Sequence, residues 1–404
     1  MQVTGIVAEY NPFHNGHLYH IEQTKTLQQT DGIVAVMSGN FTQRGTAAIF
    51  DKWTRAEMAL SCGVDLVLEL PTAFSVRSAG YFASGAVQTL AATGVVQTLS
   101  CGVESQQIDV LQQLAQFLSQ EPPHFQAALQ QHLQLGLSYP AARQKALEQL
   151  QIDGARLLQS PNNILALHYL QTIQQEHLPM EPLLISRKGT YHDDKVPPIS
   201  QGFASASAVR KLLLEEQSLW QTQVPGPVTD IIHRQIQQGY LPMHNEQFTQ
   251  ILFALLRRST PEELRLILEM QEGLENRIYS AAQQTDTLEE LCHAVKSKRY
   301  TYTRIQRTLI HLLLNMTQQM DWHTPQYLRV LGFNATGQKV LKEMKRKAQL
   351  PILIRPARQR RQLSETGQQM LALDCRATNL YTMGYALSFL RKTNLDFLRG
   401  PVQV

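Results

Sequence analysis

The 404-residue chain is 43% hydrophobic and 17% charged with a formal net charge of +4, which excludes a predominantly disordered protein. Its length predicts two or three domains rather than one core. No apolar run reaches membrane-spanning length and Met1-Gln2-Val3 leads straight into a strand-like run, so neither a membrane partner nor a signal peptide is expected.

The chain opens with Gly5-Ile-Val-Ala-Glu-Tyr-Asn-Pro-Phe-His14-Asn-Gly16-His17-Leu-Tyr-His20. Ile6, Val7 and Ala8 read as a buried strand, Asn11-Pro12 and Asn15-Gly16 as turn formers, and Leu18, Ile21 and Leu27 as one side of a helix. Two histidines therefore stand three residues apart where a helix begins. A helix start offers unpaired N–H groups and the positive end of its dipole, and Gly16 lets a ligand lie against the backbone. Imidazole N–H donors there can share the charge of a phosphate during displacement. Zinc is the competing reading, but a zinc pair on a helix sits at i, i+4 with further ligands close by.

This strand, loop and helix with His14-x-Gly16-His17 resembles the H-x-G-H signature of nucleotidyltransferases and class I aminoacyl-tRNA synthetases. The resemblance implies a doubly wound parallel sheet and adenylate formation from ATP. Asn11 stands where many such proteins carry Asp, and Glu9 where a small residue is common, which leaves the acceptor's identity open.

Ile33 to Met37 reads as a second buried strand, with Ser38-Gly39-Asn40 and Gly45 in a loop at its carboxyl end. Asp51 caps a helix, Leu66 to Leu70 forms a third strand, and a helix is expected from Ser75 to Ala92. Val96 to Cys101 makes a fourth strand, followed by Gly102. Alternating strands and helices predict a parallel sheet whose ligands gather beyond the carboxyl ends, where His14, Gly39 and Gly102 fall. Residues 109–176 read as a Gln-rich helical insertion containing Ser160-Pro161-Asn162-Asn163, whose two amides either cap a helix or face a ligand. Leu183 to Ile185 is the expected last strand, and Arg187 and Lys188 at its end suit a triphosphate. Ser205, Ser207 and Arg210 then open an amphipathic helix, which resembles the second, phosphate-holding signature of nucleotidyltransferases.

Gln221 to Pro227 is the expected boundary between a domain at 1–220 and a mostly α-helical region at 221–404, with helices over Glu246 to Arg258 and Pro261 to Glu272. The first part holds 13 Lys+Arg against 18 Asp+Glu, the second 24 against 15, so the basic second part suits a polyanionic partner. Lys296, Lys298, Arg299, Arg304 and Arg307 are interleaved with Tyr300 and Tyr302. Lys339 to Arg361 carries nine cations, among them Lys342, Lys345, Arg346, Lys347, Arg358, Arg360 and Arg361, against the single acid Glu343. Basic residues among aromatics are what an RNA backbone with splayed bases requires. Cys62, Cys101, Cys292 and Cys375 lack C-x-x-C spacing and read as reduced thiols of a cytoplasmic protein.

The whole chain is similar to the bacterial tRNA(Met) cytidine acetate ligases through residues 5–17, Asp65-Leu-Val-Leu-Glu-Leu-Pro71, Ser160-Pro-Asn-Asn-Ile164, Ala204-Ser-Ala-Ser207 with Arg210, and Leu331-Gly-Phe333. That resemblance implies activation of acetate by ATP as acetyl-adenylate, release of pyrophosphate, and transfer of acetyl to N4 of the wobble cytidine of elongator tRNA(Met). It places nucleotide contacts on Val7, Ala8, Glu9, Tyr10, Asn11, Pro12, Phe13, His14, Asn15, Gly16, His17, His20, Gly102, Asn162 and Arg187. His14 and His17 take the catalytic role at the α-phosphorus, with Arg187, Lys188, Ser205, Ser207 and Arg210 on the phosphates. Magnesium is expected to bridge the phosphates, with no dedicated carboxylate ligand and no base for the cytosine amine evident. Two alternatives use the same amino-terminal half: a small-molecule adenylyltransferase, and an RNA-binding protein whose nucleotide site regulates.

Overall fold

The computed structural model describes residues 1–105, 107–187 and 203–404. Five parallel strands, β1 (Val3–Ala8), β2 (Gly32–Ser38), β3 (Leu66–Leu70), β4 (Val96–Val103) and β5 (Glu181–Ser186), form a sheet in the order β5-β4-β1-β2-β3. The chain winds outward from β1 in one direction and then returns to build β4 on its other side, so the crossovers diverge between β1 and β4. In such a sheet the crevice at the divergence receives the ligand.

Both faces of the sheet are covered, and strand alternation divides the core. Ile33, Ala35 and Met37 pack with Ile6, Tyr10 and Phe13 on one side, while Val34 and Val36 pack with Leu66, Leu68 and Leu90 on the other. The insertion is helical as expected, with helices Ile108–Gln120, Pro123–Gln134, Tyr139–Gln149 and Pro161–Gln175.

The strand at 181–186 is not the last. The second half returns β6 (Leu328–Phe333), which pairs antiparallel with β3, and the short β7 (Ile352–Leu353) and β8 (Val402–Gln403) pair parallel with β6. β6 carries a buried charge, Arg329, which masks its strand character in the sequence. Arg329 is accommodated because Glu69 of β3 lies 3.2 Å and Asp396 2.7 Å from its guanidinium. Lys52, which lies 2.6 Å from both acids, completes a buried quartet with no net charge.

Two expected helices are shorter than their periodicity suggests. The stretch from Ser75 to Ala92 breaks into Thr72–Ser75 and Ala79–Ala92, because Arg77 turns to ion-pair with Glu269 and Asp321. The stretch from Pro261 to Glu272 is helical only over Pro261–Arg265. Glu269 and Glu272 adopt φ of 60° and 63°, which a right-handed helix cannot contain.

At 221–227 the chain passes from the 3-10 turn Ser218–Gln223 into the helix Gly226–Gln237, and Val228, Ile231 and Ile232 of that helix join the same core as Ile6 and Ile33. The second half also grips the loop after β2. Asn245 accepts from the N–H of Ala47 at 2.8 Å and donates to the carbonyl of Gly45 at 3.1 Å, while Tyr381 donates to the carbonyl of Ala48 at 2.8 Å. No helix among the described residues is long and apolar enough to cross a membrane.

Candidate active site

The first turn after β1 is built from its own sequence. Asn11 accepts from the N–H of Ile49 at 2.7 Å, and the rings of Tyr10 and Phe13 pack with centroids 4.9 Å apart. This delivers His14 as the N-cap of α1 (Asn15–Gln28). Nδ1 of His14 accepts from the N–H of Gly16 at 3.0 Å, and Nδ1 of His17 accepts from the N–H of His14 at 3.2 Å. The imidazoles stack with centroids 3.7 Å apart, and Phe13 and Tyr10 flank His17.

Protonation follows from this geometry. Burial, with the charges of Arg187 and Arg210 assisting, holds His14 down to about 3. Burial and the neighbouring His14, Arg187 and His20 likewise keep His17 well below the usual imidazole range, and burial with Arg187 holds His20 to about 4. The first two rings are therefore neutral near pH 7. Because each uses Nδ1 as an acceptor, each carries its proton on Nε2. Nε2 of His14 is buried without a hydrogen-bond partner among the described residues, a donor waiting for an acceptor.

These rings line a cavity of about 1340 Å³ at the carboxyl ends of the parallel strands. Val7, Ala8, Glu9, Tyr10, Asn11, Gly16, His20, Gly102, Asn162, Arg187, Ser205, Ser207 and Arg210 share its wall with them. Gly102 leaves room for the stem of Arg187, whose Cγ would lie 3.3 Å from an added Cβ. Arg210 donates to the carbonyl of Asn11 at 2.8 Å and to Oγ of Ser207 at 3.2 Å, so the helix Ala206–Leu214 is tied to the histidine turn. Ser205 caps that helix, its Oγ accepting from the N–H of Ala208 at 3.1 Å. His20 shares a hydrogen bond with Ser100 of β4 at 2.9 Å.

Some expected contacts fall elsewhere. Phe13 and Pro12 are buried outside the cavity wall, and Asn15 donates to the carbonyl of Thr222 at 3.0 Å. Lys188 lies outside the described residues. Neither Asn162 nor Asn163 caps its helix. Asn162 donates to Oε1 of Glu104, and Asn163 accepts from the N–H of Glu104 at 3.0 Å, which fastens the insertion to the end of β4. Among the described residues no group of three or more His, Cys, Asp or Glu side chains is placed to hold a metal ion. The donor set of arginines, imidazoles and hydroxyls suits a triphosphate.

The cavity extends beyond the expected nucleotide contacts into a second lobe. Arg44, Arg77, Arg299, Arg304 and Arg307 line it together with Tyr81, Glu269 and Asp321. Arg77 stacks on Tyr81, its guanidinium carbon 3.7 Å from the ring centre, and Arg307 lies 3.2 Å from Glu269. The carbonyl of Lys298 accepts from the N–H of Ser138 at 3.1 Å, so the basic segment 296–299 touches the insertion across the rim. Lys296, Lys298 and Arg299 are exposed there. Sequence reading missed Arg44, Arg77 and Glu269, since none stands in a basic run or a recognisable motif.

The other basic cluster lies at the opposite end of the sheet. The helix Ala335–Lys347 starts against the carbonyl of Asp65, passes Gly32 and ends beside Gly94, all at the amino ends of β2, β3 and β4. Lys342, Lys345, Arg346 and Lys347 are exposed on it, and Arg358, Arg360 and Arg361 are exposed beyond β7.

Residues 1–395 match the model of the HIGH Nucleotidyl Transferase family. A relative named tRNA(Met) cytidine acetate ligase, from Syntrophomonas wolfei, is 42% identical over 100% of this chain and 99% of its own. One of the same name from Acetivibrio thermocellus is 38% identical over the full length of both. The crystal structure of Thermotoga maritima TmcAL bound with alpha-thio ATP superposes with a TM-score of 0.93 at 34% identity, covering 100% of both chains. With the H-x-G-H turn in place and the match running through both halves, the chain belongs to the HIGH nucleotidyl transferases and, among them, to the family of the tRNA(Met) cytidine acetate ligases.

Proposed function

We propose that this protein is an ATP-dependent ligase that converts acetate to acetyl-adenylate and passes the acetyl group to N4 of the wobble cytidine of elongator tRNA(Met). One observation carries the chemistry: two neutral imidazoles, each with Nδ1 engaged by a backbone N–H, line a cavity also lined by Arg187 and Arg210. Donors fixed before the reaction stabilise charge that develops on the transferring phosphorus without reorganisation. Acetate lacks a leaving group, so its activation as a mixed anhydride with AMP makes acyl transfer to a weakly nucleophilic aromatic amine feasible. The anhydride has to be kept from water until the base arrives.

The nucleotide occupies the lobe at His14, His17, Gly102 and Arg187. The anticodon loop enters through the arginine lobe, where cations and Tyr81 suit phosphates and an unstacked base. Lys342 to Lys347, at the far end of the sheet, contact the remainder of the tRNA. Magnesium travels with the triphosphate. Mass spectrometry of nucleosides from tRNA incubated with protein, ATP and isotopically labelled acetate tests the proposal. Label in N4-acetylcytidine supports it, and its absence while label enters another product refutes it.

A further inference from the structure

We infer that Glu9 is the acceptor for the N4 amino group of the incoming cytosine and takes its proton as the acetyl group is transferred. The inference rests on the function proposed above and assigns the base of its second step.

Glu9 follows the last residue of β1 and lines the cavity. Its backbone carbonyl accepts from Arg55 at 2.6 Å. Its Oε1 accepts from the N–H of Gln43 at 2.7 Å and lies 3.5 Å from Oγ of Ser38. Gln43 in turn donates through its side chain to the carbonyl of Arg77 at 3.1 Å. One residue thus joins Glu9 to the arginine lobe, while Glu9 shares a continuous turn with the histidines. An acyl adenylate held at the histidines and a base entering past Arg77 would meet beside it.

The second carboxylate oxygen, Oε2, has no hydrogen-bond partner among the described residues. The other acids lining the cavity are committed: Glu269 pairs with Arg77 and Arg307, and Asp321 with Arg77. Glu9 forms no ion pair among the described residues. A carboxylate is the natural partner of the cytosine N4 amino group, which only donates. The charged neighbours of Glu9 are Arg55 and, next to Gln43 in the loop, Arg44, and the buried phenol of Tyr169 feels its charge.

In the step itself the N4 lone pair attacks the carbonyl carbon of acetyl-adenylate. The N–C bond forms, the bond from that carbon to the phosphate oxygen breaks, and AMP leaves with the electron pair. The proton lost from N4 goes to Glu9 and then to water. Acetate activation releases no such proton, so the two half-reactions should respond differently.

Glu9→Gln keeps the size of the side chain and an oxygen for Gln43. Acetyl transfer to tRNA should fall on the order of 10²-fold or more beyond any loss of acetate-dependent exchange of pyrophosphate into ATP. Equal loss of both half-reactions, or full transfer by the variant, would each overturn the assignment. Failure of the wild-type protein to acetylate cytidine would instead overturn the proposed function.

Discussion

The backbone N–H of His14 donates to Nδ1 of His17 at 3.2 Å, while Nδ1 of His14 accepts from the N–H of Gly16 at 3.0 Å. The reciprocal cap that starts the helix therefore also sets the tautomers of both rings. Helix nucleation and presentation of the Nε2–H donors are one event.

Replacing either ring removes one donor from the transferring phosphorus. His14→Ala and His17→Ala should each lower acetate-dependent pyrophosphate exchange by about 10²–10³-fold. Filter binding should show tRNA affinity unchanged, because neither ring lies in the arginine lobe. Normal exchange in either variant would remove these residues from the chemistry.

Gly16 is needed for room. A Cβ at this position would lie 2.9 Å from Cε1 and 3.0 Å from Nδ1 of His14. Gly16→Ala should displace that ring and reduce exchange at least ~10-fold, with the melting temperature within a few degrees of the parent's. Unchanged exchange would show that the imidazole can move without cost.

The cavity wall at the histidine turn was legible in the sequence because its parts are local: His14, Gly16 and His17 in one turn and Ser205 to Arg210 at one helix start, while Gly102, expected just after the fourth strand, lies within β4. The five parallel strands were legible for the same reason, as short apolar runs between turn formers. β6 was not, since Arg329 looks like a solvent-facing residue until Glu69 and Asp396 are brought to it from distant parts of the chain. The arginine lobe was hidden by scatter: Arg44, Arg77 and Arg299 converge only through tertiary structure. The cluster Lys342 to Lys347 was visible as a run, but periodicity says nothing about which end of the sheet a helix covers.

The buried quartet makes Asp396 important far from any ligand. Asp396→Ala would leave Lys52 and Arg329 buried with Glu69 as their one ion-pair partner and the charge of Asp374 nearby. Removing one partner of a buried ion pair costs about 3–5 kcal/mol, which denaturant titration can measure. A loss below ~1 kcal/mol would show that water reaches the quartet.

The two basic clusters should separate in salt dependence. Arg299→Ala with Arg304→Ala, at the cavity mouth, should weaken tRNA binding and reduce the slope of log affinity against log salt by roughly 1–2. Lys345→Ala, Arg346→Ala and Lys347→Ala together should change the slope less. A larger effect from this triple would move the main RNA contact to the opposite end of the sheet.

Acid should destabilise the fold through its histidines. Unfolded imidazoles take up protons near pH 6.5, while burial holds His14 and His168 to about 3 and His20 to about 4. Below pH 6.5 the unfolded chain therefore binds more protons, so the contribution present at pH 7 is lost as pH falls from 6.5 toward 4. Each such histidine costs up to about 2 kcal/mol at pH 5. Calorimetry should find a lower melting temperature at pH 5 than at pH 7, and His168→Gln should narrow that gap. An equal gap in the variant would remove His168 from the acid response.

A polypeptide ending near residue 220 would contain every histidine of the turn and would still be crippled. Its β3 would present an open row of amides and carbonyls where β6 normally docks, with Lys52 and Glu69 deprived of their distant partners. Bare edges of that kind recruit other chains, so such a fragment should precipitate as ladders of copies rather than work as a freestanding adenylating module.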